Sequence, residues 1–336
     1  MIFAVSLTVV AFHCKGNAPI PSPQPIHEIK LDVGVTAMNW SQNGSAIAAG
    51  LESGEVALID PQSWQVSSRF AAAKDGKQVG SICFSPEGKL LACEFSSDIV
   101  RVFDAKTKIL MQEIQLSEEE WVHSIDFSAD GKLFCIGTGG KGTVNLYSTA
   151  TWAVVAQFHE ADARLITPNS TPIIYSIAFH PDSRQMAVGL QKGAVLLATN
   201  GLVEVKAFPM TEQHAVRTMA FTPDGKLLAT AGAIVQIWKT AGQDPPLSLP
   251  KDVRAPINYL DFSDDGKLLL IAYGMASSES NIVAVYSLEH GKTVAHFPCH
   301  SQNWAGACFI PNTHRIATAA MDGTIQEWSV NLEEPK

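Results

Sequence analysis

From residue 35 onward one pattern of apolar and polar positions recurs seven times. A short, largely apolar run ends in an aromatic residue, and a polar turn, a second apolar run, another turn and a third run follow. The aromatics are Trp40, Phe84, Phe127, Phe179, Phe221, Phe262 and Phe309, separated by 44, 43, 52, 42, 41 and 47 residues. The turn after each is of the Ser-Pro-Asp-Gly type, as in SPEG at 85–88 and TPDG at 222–225. Proline fixes φ, Asp hydrogen-bonds the nearby backbone and Gly accepts a positive φ, a combination that reverses a chain between antiparallel strands. The second run of each unit is apolar on both faces, as expected of a strand covered on two sides. The third runs, such as IVRVF at 99–103 and IVAVY at 282–286, are rich in β-branched residues. A weaker fourth run trails each unit, for example VSSRF at 66–70 and VVAQF at 154–158. No stretch has a helical period, so an all-β chain of four-stranded units is predicted.

Seven units of this length, with this turn, resemble the WD-repeat β-propeller family. The resemblance covers about residues 26–331. The closing Trp-Asp dipeptide is degenerate here: it appears as Ile59-Asp60 and Phe103-Asp104, or as Trp238 and Trp328 without the acid. The resemblance implies a seven-bladed propeller of four-stranded antiparallel blades. The seventh unit ends after its third strand, so IHEIKL at 26–31 is expected to supply the missing outer strand and close the ring, which removes an exposed edge. The family often carries a His, Ser/Thr, Asp, Trp tetrad within a blade. Only the seventh unit matches throughout, at His300, Thr318, Asp322 and Trp328, and the resemblance implies a structural lock rather than catalysis. The fifth unit has His214, Thr230 and Trp238 but no Asp in its turn.

Ahead of the repeats, residues 2–12 are apolar except for Ser6 and Thr8, and residues 17–25 place Pro at every second position from Pro19 to Pro25. This layout is expected to be an export signal or short anchor (1–16), a stiff linker (17–25), the propeller (26–331) and a tail (332–336), with a misplaced start codon or a frayed apolar tail as the alternative reading of the first segment. An extracytoplasmic location follows, with a cytoplasmic one as the alternative, which buried free thiols favour. No apolar run reaches the roughly 18 residues of a membrane-spanning helix.

The chain carries 33 Asp+Glu against 24 Lys+Arg, a net charge of -9. That balance, with Lys74, Lys77 and Arg164 scattered, argues against nucleic acid and for a basic protein partner. Loops before the first strand and between the second and third should share one face. That loop-rich face is the expected docking surface, with Glu118, Glu119, Glu120, Trp121, Arg164, Met275 and Trp304 as partner-binding candidates. Trp121 could instead fold onto its own blade. Phosphate-loop, zincin and nucleophile-elbow motifs are absent. The expected function is a non-enzymatic scaffold for a protein or peptide, with no cofactor and no metal. The H-x-x-C-H run of His296, Cys299 and His300 lacks a second cluster to complete a zinc site. The alternative is an exported, lactonase-like propeller hydrolase with a channel metal held by acids and amides near Asp126, Asp261, Asn39 and Asn258. Residues just before an anchor aromatic are expected to point between blades instead.

Overall fold

The computed structural model describes residues 23–73, 77–95, 98–165, 171–210, 214–250, 255–274, 281–300 and 304–330. Among them 28 strands run from β1 (His27–Lys30) to β28 (Thr324–Ser329), and one 3-10 turn at Glu160–Asp162 is the sole helical element. The strands form seven antiparallel sheets of four. Six sheets are built from consecutive strands. The seventh joins the three last strands to β1, which pairs with β28 in the register Ile29↔Ile325. The chain is a seven-bladed propeller closed by its own N-terminal strand. Closure is reinforced by side chains, because the buried Glu327 accepts His27 Nδ1 at 2.5 Å and Arg315 Nη1 at 2.9 Å.

The second strand of each blade is buried almost throughout, as its apolar composition demands. Buried apolar side chains fall into seven clusters, one at each junction between neighbouring blades. Each anchor aromatic packs toward the preceding blade: Phe127 joins Cys83 and Val102, and Phe309 joins Leu270 and Val285. The residue before an anchor points the other way. Asn39 Oδ1 accepts the Phe84 amide at 3.0 Å, Asp126 Oδ2 the Phe179 amide at 3.1 Å, and Asp261 Oδ2 the Phe309 amide at 2.7 Å. These three side chains therefore staple a blade to its successor and lie away from the axis. The turn after each anchor needs a left-handed residue. Gly44, Gly88, Gly131, Gly225 and Gly266 supply it with φ of +67° to +71°, while Ser183 and Asn312 adopt +61° in blades 4 and 7. Here Ser and Asn carry a backbone strain that Gly would avoid.

Candidate functional site

The inner strands of the blades surround a cavity of about 1360 Å³, open on the face that carries the loops between second and third strands. One repeat position supplies four of its lining residues. Four residues before the anchor aromatics stand Thr36, Gly80, His123, Tyr175, Arg217, Asn258 and Ala305. His123, Tyr175, Arg217 and Asn258, from blades 3 to 6, line the cavity. In blades 1, 2, 3, 6 and 7 this position is skipped in the pairing of the first and second strands, a β-bulge that takes it out of the regular alternation and re-aims it, while the residue before the anchor faces the next blade. On the other arc the position is filled by Ala, Thr and Gly, which leaves that side open. Thr36 is engaged between blades, donating to Val79 O at 2.6 Å.

The lining is aromatic and polar. The His123 ring lies 5.8 Å from Tyr175 and 6.5 Å from Trp121. Tyr175 donates its hydroxyl to Gln191 Oε1 at 2.5 Å, and Asn258 donates its amide to Gly274 O at 2.7 Å. Burial pushes the His123 pKa down, and the Arg217 charge adds to that. Burial also pushes the Tyr259 phenol up to about 12, so it stays a neutral donor. Among the described residues no three His, Cys, Asp or Glu side chains converge as metal ligands. His296 is exposed, Cys299 donates its thiol to Phe297 O, and both ring nitrogens of His300 are engaged by threonines.

Those threonines complete the constellation in blade 7. His300 Nε2 bonds Thr318 Oγ1 at 2.9 Å, and Trp328 Nε1 donates to the same oxygen at 3.1 Å. His300 Nδ1 bonds Thr324 Oγ1 at 2.7 Å and stands 3.4 Å from Asp322 Oδ2. Asp322 Oδ1 accepts both the amide and the hydroxyl of Thr324. Thr324 thus bridges His300 and Asp322, a fifth member that the spacing had not singled out. Burial opposes ionisation of Asp322, but the hydrogen bonds from His300 and Thr324 outweigh it and hold the carboxyl well below the usual range. In blade 5, Trp238 Nε1 donates to Thr230 Oγ1 at 3.0 Å, yet His214 is exposed and lines the cavity instead of joining them.

The partner-binding candidates are dispersed. Trp121 lies over its own blade: a Cβ on Gly139 would meet the indole at 2.3 Å, so only glycine permits this contact. Trp304 is buried rather than exposed, donates Nε1 to Tyr273 O at 3.0 Å and borders the cavity. Its indole joins blade 7 to blade 6, which corrects the expectation of an exposed hot spot. Glu118 is exposed, and Glu119 and Glu120 stand 3.5 and 3.9 Å from Lys141. Glu120 also accepts from Thr138 and Ser117. Arg164 pairs with Glu204 on the outer strand of blade 4 at 3.2 Å. Met275 lies outside the described residues. The axial residues His123, Tyr175 and Arg217 went unremarked in the sequence, although their shared repeat position marks them, and Asn258 was singled out only as an amide near a channel metal.

Comparison with known proteins bears on the family and the compartment. The family model for the WD domain, G-beta repeat, matches residues 112–148, 206–239 and 291–329, and that for the anaphase-promoting complex subunit 4 WD40 domain matches 62–122. The chain is 24% identical to mouse telomerase protein component 1 over 262 residues, covering 76% of this chain and 9% of that protein. It is 22% identical to the U3 small nucleolar RNA-associated protein 15 homolog of Xenopus tropicalis over 310 residues, 92% of this chain and 56% of the relative. The chain therefore spans about a tenth of the first relative and little over half of the second. The crystal structure of the Myceliophteria thermophila Cps50 (Swd1) β-propeller domain superposes with a TM-score of 0.75 at 15% identity, covering 92% of this chain and all of that one. Relatives named for telomerase and for a small nucleolar RNA point to the cytoplasm or nucleus and overturn the extracytoplasmic expectation. They also remove the ground for excluding nucleic acid. The apolar segment behind the export reading lies outside the described residues, and among the described residues no helix is long and apolar enough to cross a membrane. With seven four-stranded blades, WD-repeat matches in three of them and a solved propeller of the same fold, the chain is a WD-repeat β-propeller.

Proposed function

We propose that the chain is a non-enzymatic interaction scaffold that receives a segment of a partner protein at the mouth of the central cavity, on the loop-rich face. The observation that carries this reading is the clustering of His123, Tyr175, Arg217 and Asn258 at a single repeat position around a cavity of about 1360 Å³. Rings and amides presented from rigid strands are suited to hold a peptide with little ordering cost. Asp126, Asp261 and Asn39 are engaged between blades and so are unavailable to a channel metal, which weighs against the hydrolase alternative. The tetrad of His300, Thr318, Asp322 and Trp328 acts in this reading as the lock of the closing blade.

The test is affinity capture from the native source with three forms of the full chain. His123→Ala/Tyr175→Ala is expected to lose the specific partner. Val154→Ser/Val203→Ser, on exposed outer strands, is expected to keep it. Retention by the cavity variant and loss by the outer-strand variant would place the docking surface on the rim and overturn the proposal.

A further inference from the structure

We infer that the cavity takes an acidic segment of a polypeptide, whose carboxylate is received by Arg217; this rests on the cavity being the docking site. The protein has a net charge of -9, yet none of the described residues lining the cavity is Asp or Glu. The wall instead presents Arg217, His123 and His214. A site whose charge opposes that of the molecule around it selects for the ion that the rest of the surface repels.

The guanidinium is also free. Arg69, Arg101, Arg164 and Arg315 each pair with a carboxylate at 2.7–3.2 Å. Arg217 makes no side-chain hydrogen bond or ion pair among the described residues, so its planar fork is open to a bidentate carboxylate. Its field reaches its neighbours: it lowers the His123 pKa together with burial, and it opposes the burial that raises the Tyr175 phenol. A neutral His123 leaves Arg217 as the fixed charge while still offering one N–H donor.

Carboxylates beside the wall residues stay out of the cavity lining. Glu94 is buried behind Gly80, where a Cβ would meet its Oε2 at 1.9 Å. Glu160 is buried and accepts the Ile173 amide at 2.6 Å, and Glu119 and Glu120 stand beside Lys141. Around the anchor, Asn258 Oδ1 has no partner among the described residues and is available to a peptide N–H, and the Tyr175 ring supplies an apolar face. One fixed cation suits one carboxylate. A nucleic-acid backbone gains affinity from several phosphate contacts along a basic stripe, which this wall does not provide.

The test selects random dodecapeptides displayed on phage against the immobilised full chain and measures the enriched peptides by fluorescence anisotropy. The same measurement is made with a random single-stranded RNA 20-mer. Enriched peptides are expected to carry an excess of Asp and Glu over the library, to lose about tenfold or more in affinity on Arg217→Gln, and to fail on Arg217→Glu. Arg217→Lys is expected to retain part of the binding, and thermal melting of each variant checks that the propeller is intact. Peptides without acidic excess that still depend on His123 and Tyr175 would overturn the inference and leave the docking site standing. Peptides indifferent to every cavity variant, or no enrichment at all, would overturn both. Arg217-dependent binding of the RNA without acidic peptides would assign the cation to phosphate instead.

Discussion

Blades 5 and 7 carry the same His, Thr and Trp, and the structure uses the histidine in opposite ways. In blade 7, His300 is buried beneath Trp304, with one nitrogen on Thr318 and the other on Thr324. In blade 5 the Thr230–Trp238 bond survives, but His214 stands at the cavity wall. The difference is a matter of register. His300 lies nine residues before its anchor Phe309, whereas His214 lies seven before Phe221. The blade 5 turn also lacks the acid that, through Thr324, secures His300 in blade 7. Thr230 donates instead to Gln236 O and faces Met210 Sδ. A buried lock and an exposed cavity wall are thus two outcomes of one motif, set apart by two residues of spacing and one carboxylate.

Breaking each lock should rank the blades. Thr318→Val leaves His300 Nε2 and Trp328 Nε1 buried without their partner, and is expected to cost about 2–4 kcal/mol, read as a lowered urea midpoint. Thr230→Val orphans only Trp238 Nε1 and should cost about 1–2 kcal/mol. Equal losses would show that His300 adds nothing to the blade 7 lock. The closing strand offers a second break. Glu327→Gln removes the charge that holds His27 and Arg315, and is expected to raise hydrogen exchange over His27–Lys30 and cost about 1–2 kcal/mol.

The junctions on which blade 7 depends should answer to pH in opposite directions. Burial pushes the Asp261 carboxyl up to about 7, even though the amides of Phe309 and Phe262 donate to it. Its folded-state value then exceeds the unfolded one of about 4, so the folded state binds more protons between those limits. The Asp261 contribution is therefore greatest near pH 4 and declines as pH rises to 7. Asp126, likewise pushed up to about 7, behaves the same way between blades 3 and 4. Asp322 is held low, and its contribution is present above about pH 4 and lost as pH falls further. Thermal melting from pH 4 to 8 should show a shallower decline for Asp261→Asn than for the native chain. An unchanged slope would mean that Asp261 does not titrate in this window. The smallest effect belongs to His214→Ala: because its ring makes no hydrogen bond among the described residues, the urea midpoint should stay within about 0.5 kcal/mol of native.

The architecture was legible because turn chemistry and anchor spacing repeat seven times, and because the last blade is visibly one strand short. The blade 7 lock was legible at His300, Thr318, Asp322 and Trp328, where the spacing matches in full. For Trp121 the sequence left two readings open, and Trp304 misled, because an aromatic among charges resembles an exposed anchor. Whether it folds back depends on what faces it: the bare backbone of Gly139 in one case and the Tyr273 carbonyl in the other. The cavity wall was hidden for a different reason. His123, Tyr175, Arg217 and Asn258 share no chemistry, and only aligning the repeats on their anchors shows that they share a direction. Location was misjudged from the composition of the first 25 residues, which says nothing of the relatives the repeats would find.

The most direct measurement is photo-crosslinking in cells, with benzoylphenylalanine placed at Tyr175 in the cavity or at Val203 on the exposed outer strand of blade 4. Docking at the cavity predicts a discrete adduct from position 175 and none from 203. An adduct from 203 alone would contradict it and move the partner to the outer rim.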